Sequence, residues 1–140
     1  MISFRSTLPT TIVALLVFLF GLPTAVLAAP LENALLGTWA PKGSQAFKAG
    51  PMVKVLPDKI ILQNGRDSAQ FGDLDACYTC EGGANYNGIV VWVVPEFSKK
   101  SAPFTLYFNA GEKRGVLQIE FMDHELEKRF PLKSLLRKCK

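Results

Sequence analysis

Cys77 and Cys80, in the stretch CYTCEGG, are the residues of this chain with the most chemistry to offer. A pair at this spacing can cycle between dithiol and disulfide, hold part of a metal site, or clip a loop covalently. A redox pair wants its first cysteine at a helix N-terminus, where the thiol pKa is lowered. Here EGGANYNG follows, rich in glycine and asparagine, and reads as a loop leading into a strand. Haem attachment needs a histidine directly after the second cysteine, and Glu81 stands there. The third cysteine, Cys139, and the single histidine, His124, would complete a Cys₃His zinc set by ligand type. His124, however, sits in the polar run MDHELEK and reads as a surface residue, so no metal and no cofactor is expected.

A structural disulfide with one thiol left over is the favoured reading of Cys77, Cys80 and Cys139. A Cys77–Cys80 bond would clip the loop locally, whereas a bond to Cys139 would pin the C-terminus. On the chain-entropy argument the long closure stabilises by roughly 4–5 kcal/mol before strain. It is preferred because Cys139 completes an apolar face in the last segment. The glycine-rich loop after Cys77 supplies the candidate binding residues Tyr78, Glu81, Tyr86 and Asn87, polar and aromatic groups on a loop needing unusual backbone angles.

Catalytic arrangements find little support. A hydrolytic triad would have to combine His124 with Ser98 or Ser101, and neither serine stands in a nucleophile-elbow context. Asp73 and Asp75 in GDLDAC, with Glu81, could form a carboxylate pair, but two aspartates on one face of an exposed strand explain the pattern as well. GGANYNG lacks the lysine and helix start of a phosphate-binding loop. The sequence reads as that of a non-enzyme.

The elements that would position these residues are strands. MVKVL (52–56) and KIILQ (59–63) flank Pro57-Asp58, and Asn64-Gly65 follows, the dipeptide of a type I′ hairpin, with a return strand at 67–71. GIVVWVVP (88–95) is apolar on both faces and predicts a central strand covered on both sides. FTLYF (104–108) and VLQIEF (116–121) alternate, joined by the polar turn NAGEKRG. LENALLGTW (31–39) predicts a helical turn before the first strand. In PLKSLLRKC, Pro131 suits a first helical turn, and Leu132, Leu135, Leu136 and Cys139 share a helical face. The expectation is a mainly β protein: an antiparallel meander forming a small barrel or strongly curved sheet, with a short, basic C-terminal helix.

The chain has 140 residues and no internal repeat. Its start carries Arg5, an apolar run over 12–22 broken by Gly21 and Pro23, and the small residues Val26 and Ala28, the pattern of a signal peptide cut after Ala28. Residues 29–140 would then form one exported domain, periplasmic or secreted. Of the 16 basic residues only Arg5 leaves with the signal, so 15 basic face 12 acidic, too even a balance for nucleic acid. The basic residues Lys128, Arg129, Lys133, Arg137, Lys138 and Lys140 crowd the end, a tail able to touch an anionic membrane surface weakly.

One short feature, LLGTWA (35–40), resembles the G-x-W signature of the first strand of lipocalins and related calycins, with Gly37 and Trp39 in the signature positions. The resemblance implies an antiparallel barrel whose tryptophan plugs the closed end. The chain has no T-D-Y motif, and its mature length suits a filled barrel, as in small exported inhibitors, better than a ligand-enclosing one. Sequence thus points to an exported binding protein contacting a protein partner, inhibitor- or immunity-like, or a small apolar ligand. The alternative is an envelope-associated accessory protein using its basic tail, and a C-x-x-C redox protein is a third reading.

Overall fold

Alternation builds the most regular part of the sheet. Phe104, Leu106, Phe108, Leu117 and Ile119 all turn inward and are almost wholly buried, while Gln118 and Glu120 between them face solvent. A computed structural model of the protein describes residues 31–42, 50–78, 90–99, 101–133 and 135–139. The expected signal peptide, residues 1–28, and the loop residues Cys80, Glu81, Tyr86 and Asn87 lie outside these.

The described chain forms β1 (Gly37–Pro41), β2 (Met52–Val55), β3 (Ile60–Asn64), β4 (Asp67–Phe71), β5 (Asp75–Cys77), β6 (Val91–Val94), β7 (Phe104–Phe108), β8 (Val116–Phe121), α1 (His124–Arg129) and β9 (Leu136–Lys138). All nine strands join one curled antiparallel sheet in the order β4-β3-β2-β1-β9-β8-β7-β6-β5. The expected mainly β fold is present as a half-barrel, with one short helix near the C-terminus.

The two edges of this sheet are consecutive pieces of one ribbon. Eight antiparallel pairings separate β4 from β5, so the two strands run in the same direction. Three residues link them, which leaves no room for a reversal. The ribbon instead changes partners: it pairs with β3 up to Phe71, and from Gly72 its carbonyls accept from the continuation of β6, Glu96 N to Gly72 O at 2.9 Å and Phe97 N to Asp73 O at 3.4 Å. Asp73, at φ 48°, takes the bend at the handover. Across the curl, the Phe71 ring meets Phe104 edge-on at 5.0 Å, which draws the edges together over a shared core.

That core fills the inside of the curl. Trp39, Val53, Val55, Ile60, Leu62, Val93 and the inward residues of β7 and β8 belong to one buried cluster, as do Leu126, Phe130 and Leu132 from α1 and its continuation. Asp123 caps α1 by accepting from Glu125 N and Leu126 N, and its acidic first turn and basic last turn suit the helix dipole. Arg129 forks onto Asp67 of β4 (Nη2–Oδ1 2.7 Å, Nε–Oδ2 3.1 Å), and Asn64 Nδ2 donates to the Arg129 carbonyl at 2.9 Å. The guanidinium holds the Asp67 carboxyl below its ordinary pKa.

The expected helix over the final segment is replaced by β9. The short helix lies earlier, in the stretch read as a polar surface run. Leu136 is fully buried and pairs with Leu117 and Pro41, whereas Leu135 is exposed, a strand's alternation and not a helix's stripe. The reason is non-local. β9 fills the slot between β1 and β8, satisfying backbone groups on both, a gain larger than the propensity of a short isolated helix.

Two smaller expectations shift as well. Of the two central residues of the β3–β4 turn only Gly65 has positive φ (60°), the glycine-first pattern of a II′ turn in place of I′. β6 is paired on both sides yet lies next to an edge, and Trp92 and Val94 on its outer face are only half-buried.

Candidate functional site

β1 opens with a tight approach. Gly37 has φ 126°, a backbone conformation that L side chains rarely adopt, and a Cβ there would come within 2.9 Å of the flexible end of Lys138, so the position two before Trp39 favours glycine. The turn ahead of it, closed by Leu35 N to Glu32 O at 2.9 Å, sets the Leu35 carbonyl where Trp39 Nε1 donates to it at 3.0 Å. Trp39 is 3 % exposed, and its ring meets Phe108 edge-to-face at 5.4 Å.

At the far end of β7 the chain turns sharply. Asn109, Gly111, Glu112 and Gly115 all have positive φ between 60° and 70°, two of them without glycine's freedom. Asn109 N donates to Val116 O at 2.7 Å, and Asn109 Oδ1 accepts from Gly115 N at 3.1 Å, which holds the turn. Arg114 is thereby placed beside the Trp39–Phe108 pair.

These elements enclose an open cleft of about 410 Å³. Leu35, Trp39, Tyr78, Val91 and Phe108 give it apolar walls, and Glu32, Asn109 and Arg114 add polar groups. The volume falls in the range of small-molecule sites, and the lining mix is typical of them. Tyr78, expected as an exposed contact, is half-buried against the core and lines this cleft.

Sequence reading missed Leu35, Phe108, Asn109 and Arg114 as site residues. The signal was present in NAGEKRG, where an asparagine and two glycines bracket three charged residues, a composition suited to a turn of left-handed backbone.

The cysteines do not meet as favoured. Cys139 carries a free thiol and packs on the outer side of the sheet against Ala40 and Met52, with its N–H donating to Thr38 O at 2.8 Å. Burial raises its pKa, which keeps it protonated and weakly nucleophilic. Cys77 ends β5 and is not a free thiol. β5 and β9 are four places apart in the sheet, roughly 19 Å at the usual strand spacing, against about 7 Å at most for bridged Cα atoms. The long bond to Cys139 is therefore excluded for Cys77.

The residues weighed for catalysis stay apart. His124 opens α1 with its side chain 86 % exposed and Nδ1 3.6 Å from Glu127 Oε2. Ser98 and Ser101 are exposed in the β6–β7 connection, with no hydrogen bond to His124 among the described residues. Asp73 sits in the ribbon's bend and Asp75 on β5, so they do not share a strand. Among the described residues no group of three or more His, Cys, Asp or Glu side chains is placed to hold a metal ion.

A second feature lies on the outer face. Cys77, Trp92, Tyr107 and Gln118 stand opposite one another across β5 to β8, with Trp92 and Tyr107 edge-to-face at 5.1 Å. Tyr107 donates its hydroxyl to Glu120 at 2.7 Å, and Trp92 Nε1 is buried without a hydrogen-bond partner among the described residues. Comparison of the chain with protein-family models, curated proteins and solved structures finds no match.

Proposed function

We propose that the protein is an exported, non-catalytic binding module that takes a small apolar ligand in the cleft beside Trp39. The observation that carries this reading is the cleft itself, of about 410 Å³, with three aromatic rings and three aliphatic side chains against three polar residues. The filled core inside the curl directs the ligand to this end and not to the interior of the sheet. The G-x-W resemblance agrees with the barrel-like curl and with Trp39 sealing one end of the core. Within the same reading Cys77 pairs with Cys80, which leaves Cys139 as the free thiol.

The test is fluorescence of an anilinonaphthalene sulfonate dye with the mature chain, residues 29–140. Saturable enhancement that a fatty acid reverses, and that Trp39→Ala weakens, supports the reading. A dye signal no higher than that of a surface-only control protein would defeat it.

A protein partner is the second reading. It is favoured by the outer-face row of Trp92 and Tyr107, which runs from Cys77 and so adjoins the same loop. A stoichiometric partner recovered from exported extract, and lost with Trp92→Ala but not Trp39→Phe, would shift the function to that face. The envelope reading gains less, because the tail's cations among the described residues already have partners. Lys128 pairs with Glu125, Arg129 with Asp67 and Lys133 with Glu127, and Arg137 and Lys138 donate to backbone carbonyls.

A further inference from the structure

Alternation divides β6 and β7 between two sites. Val91 and Phe108 turn inward and line the cleft, whereas their chain neighbours Trp92 and Tyr107 turn outward. With Gln118, Glu120 and the turn at Ala110 and Gly111, these two rings line a groove of about 330 Å³ on the outer face. The groove shares no lining residue with the cleft.

Its surface offers hydrocarbon and hydrogen-bonding groups side by side. Nε1 is the only polar atom of the Trp92 side chain and it is shielded from solvent, so this half-buried residue presents hydrocarbon outward. Tyr107 meets it edge-to-face at 5.1 Å and gives its hydroxyl proton to Glu120 Oε2. A carboxylate has about four lone-pair sites, so Glu120 keeps capacity to accept, and the exposed Gln118 amide both donates and accepts. Gln118 stands two strands from Trp92, roughly 10 Å at the usual spacing, the scale of a sugar ring with its hydroxyls.

A saccharide satisfies both kinds of group at once. The C–H groups on a pyranose face carry partial positive charge and settle on the electron-rich face of an aromatic ring. Its hydroxyls each donate and accept, matching Gln118 and Glu120. A wholly apolar ligand would cover those polar groups unpaired. Glu120 is the one ionised group among the lining residues, and Arg137, opposite Val116 and so diagonal to Gln118, offsets it from the next strand. That balance suits a neutral ligand better than an anion or a cation. The volume lies at the small end for ligand sites.

We propose that this groove binds a neutral saccharide of the glucose type, whose equatorial substituents leave a flat C–H face for Trp92 and present hydroxyls to Gln118 and Glu120. The site is independent of the cleft and of the ligand proposed there.

The chain has two tryptophans, Trp39 in the cleft and Trp92 in the groove, so the two indole N–H signals of the isotope-labelled mature chain report the sites separately by NMR. The probes are cellobiose, N,N′-diacetylchitobiose, the acyclic polyol sorbitol and tetramethylammonium. At least one disaccharide is expected to move the Trp92 signal saturably and leave that of Trp39 in place. Sorbitol, with hydroxyls but no ring face, should bind at least about tenfold more weakly, since the aromatic contact is lost. Gln118→Ala, an exposed change that keeps the reporter, should weaken the disaccharide about fivefold, as loss of one neutral hydrogen bond implies. Trp92→Ala should remove binding, read from the Gly111 amide. No response at Trp92 to either disaccharide would overturn the proposal and leave the cleft reading untouched. So would a response confined to Trp39, or binding that Gln118→Ala leaves unchanged. Tighter binding of tetramethylammonium than of either sugar would assign the groove to an organic cation, and a protein held through Trp92 that excess disaccharide does not displace would assign it to protein recognition; either overturns the saccharide.

Discussion

The two ends of β8 are built on opposite principles. Where β8 runs out at Phe121, the chain enters a capped helix, α1, that plants Leu126, Phe130 and Leu132 in the core and ties itself to the β3–β4 hairpin through Arg129. Where β8 begins at Val116, it is preceded by a turn with four left-handed residues, and the surface opens into the cleft. One end gains apolar burial, helix capping and a forked ion pair. The other carries backbone strain and leaves apolar walls accessible. Strain and exposed apolar surface together at one end are what a binding site requires, and the packed end supplies the stability that tolerates them.

The comparison breaks most visibly at Phe130, which is fully buried. Phe130→Ala should destabilise by about 3–5 kcal/mol, the usual range for deleting a buried aromatic ring, read from the midpoint of urea unfolding. A loss under 1 kcal/mol would mean that α1 is not the stabilising end. Phe108→Ala is not an equal control, because that ring serves both the core and the cleft.

Trp39→Phe tests the other end. It removes the bond to the Leu35 carbonyl and should cost about 1–2 kcal/mol, since it leaves an acceptor unsatisfied near the core. Dye affinity should fall with it, because the Leu35 turn forms one cleft wall. Unchanged dye binding in this variant would separate the cleft from Trp39.

Smaller effects sharpen the contrast. Cys139→Ser should change stability far less than the 2–5 kcal/mol typical of losing a native disulfide. Mapping of unreduced protein, with thiols trapped at low pH, should find Cys139 alkylated and Cys77 linked to Cys80. A linked Cys139 would refute the strand order that separates β9 from β5.

The smallest effect is electrostatic. Asp67 has its folded pKa lowered, so its contribution is fully present above the unfolded pKa and is lost as pH falls through the folded one. Asp67→Asn should therefore lower stability slightly above about pH 4, near the carboxylate reference value, and leave the acid end unchanged, which flattens the acid limb of the profile. Binding at the cleft should not respond, and a response would show the two ends to be coupled.

Legibility in the sequence followed locality. β4, β7 and β8 occupy the expected residues because alternation and turn chemistry act within a few positions, and a strand with one apolar face has one sensible orientation. α1 was legible and missed: Asp123 ahead of Glu125 is an N-cap signal, and Leu126 with Phe130 is an i, i+4 apolar pair. Tyr78 was the one expected contact residue that reaches the cleft among those described. The other walls come from β1, β6 and β7, and no spacing along the chain relates Leu35 to Arg114.

What the sequence by itself determined is the period of β4, β7 and β8 and the turns at Gly65 and Asn109–Gly115. These depend on side-chain alternation and on which residues accept positive φ. What only the tertiary structure decided is the role of residues 136–139. Leu132, Leu135, Leu136 and Cys139 satisfy a helical stripe as well as a strand reading, and the choice fell to the empty place between β1 and β8. Two unsatisfied backbone edges, brought together by the closing of distant meanders, outweighed a local preference. The same event carried Cys139 away from Cys77.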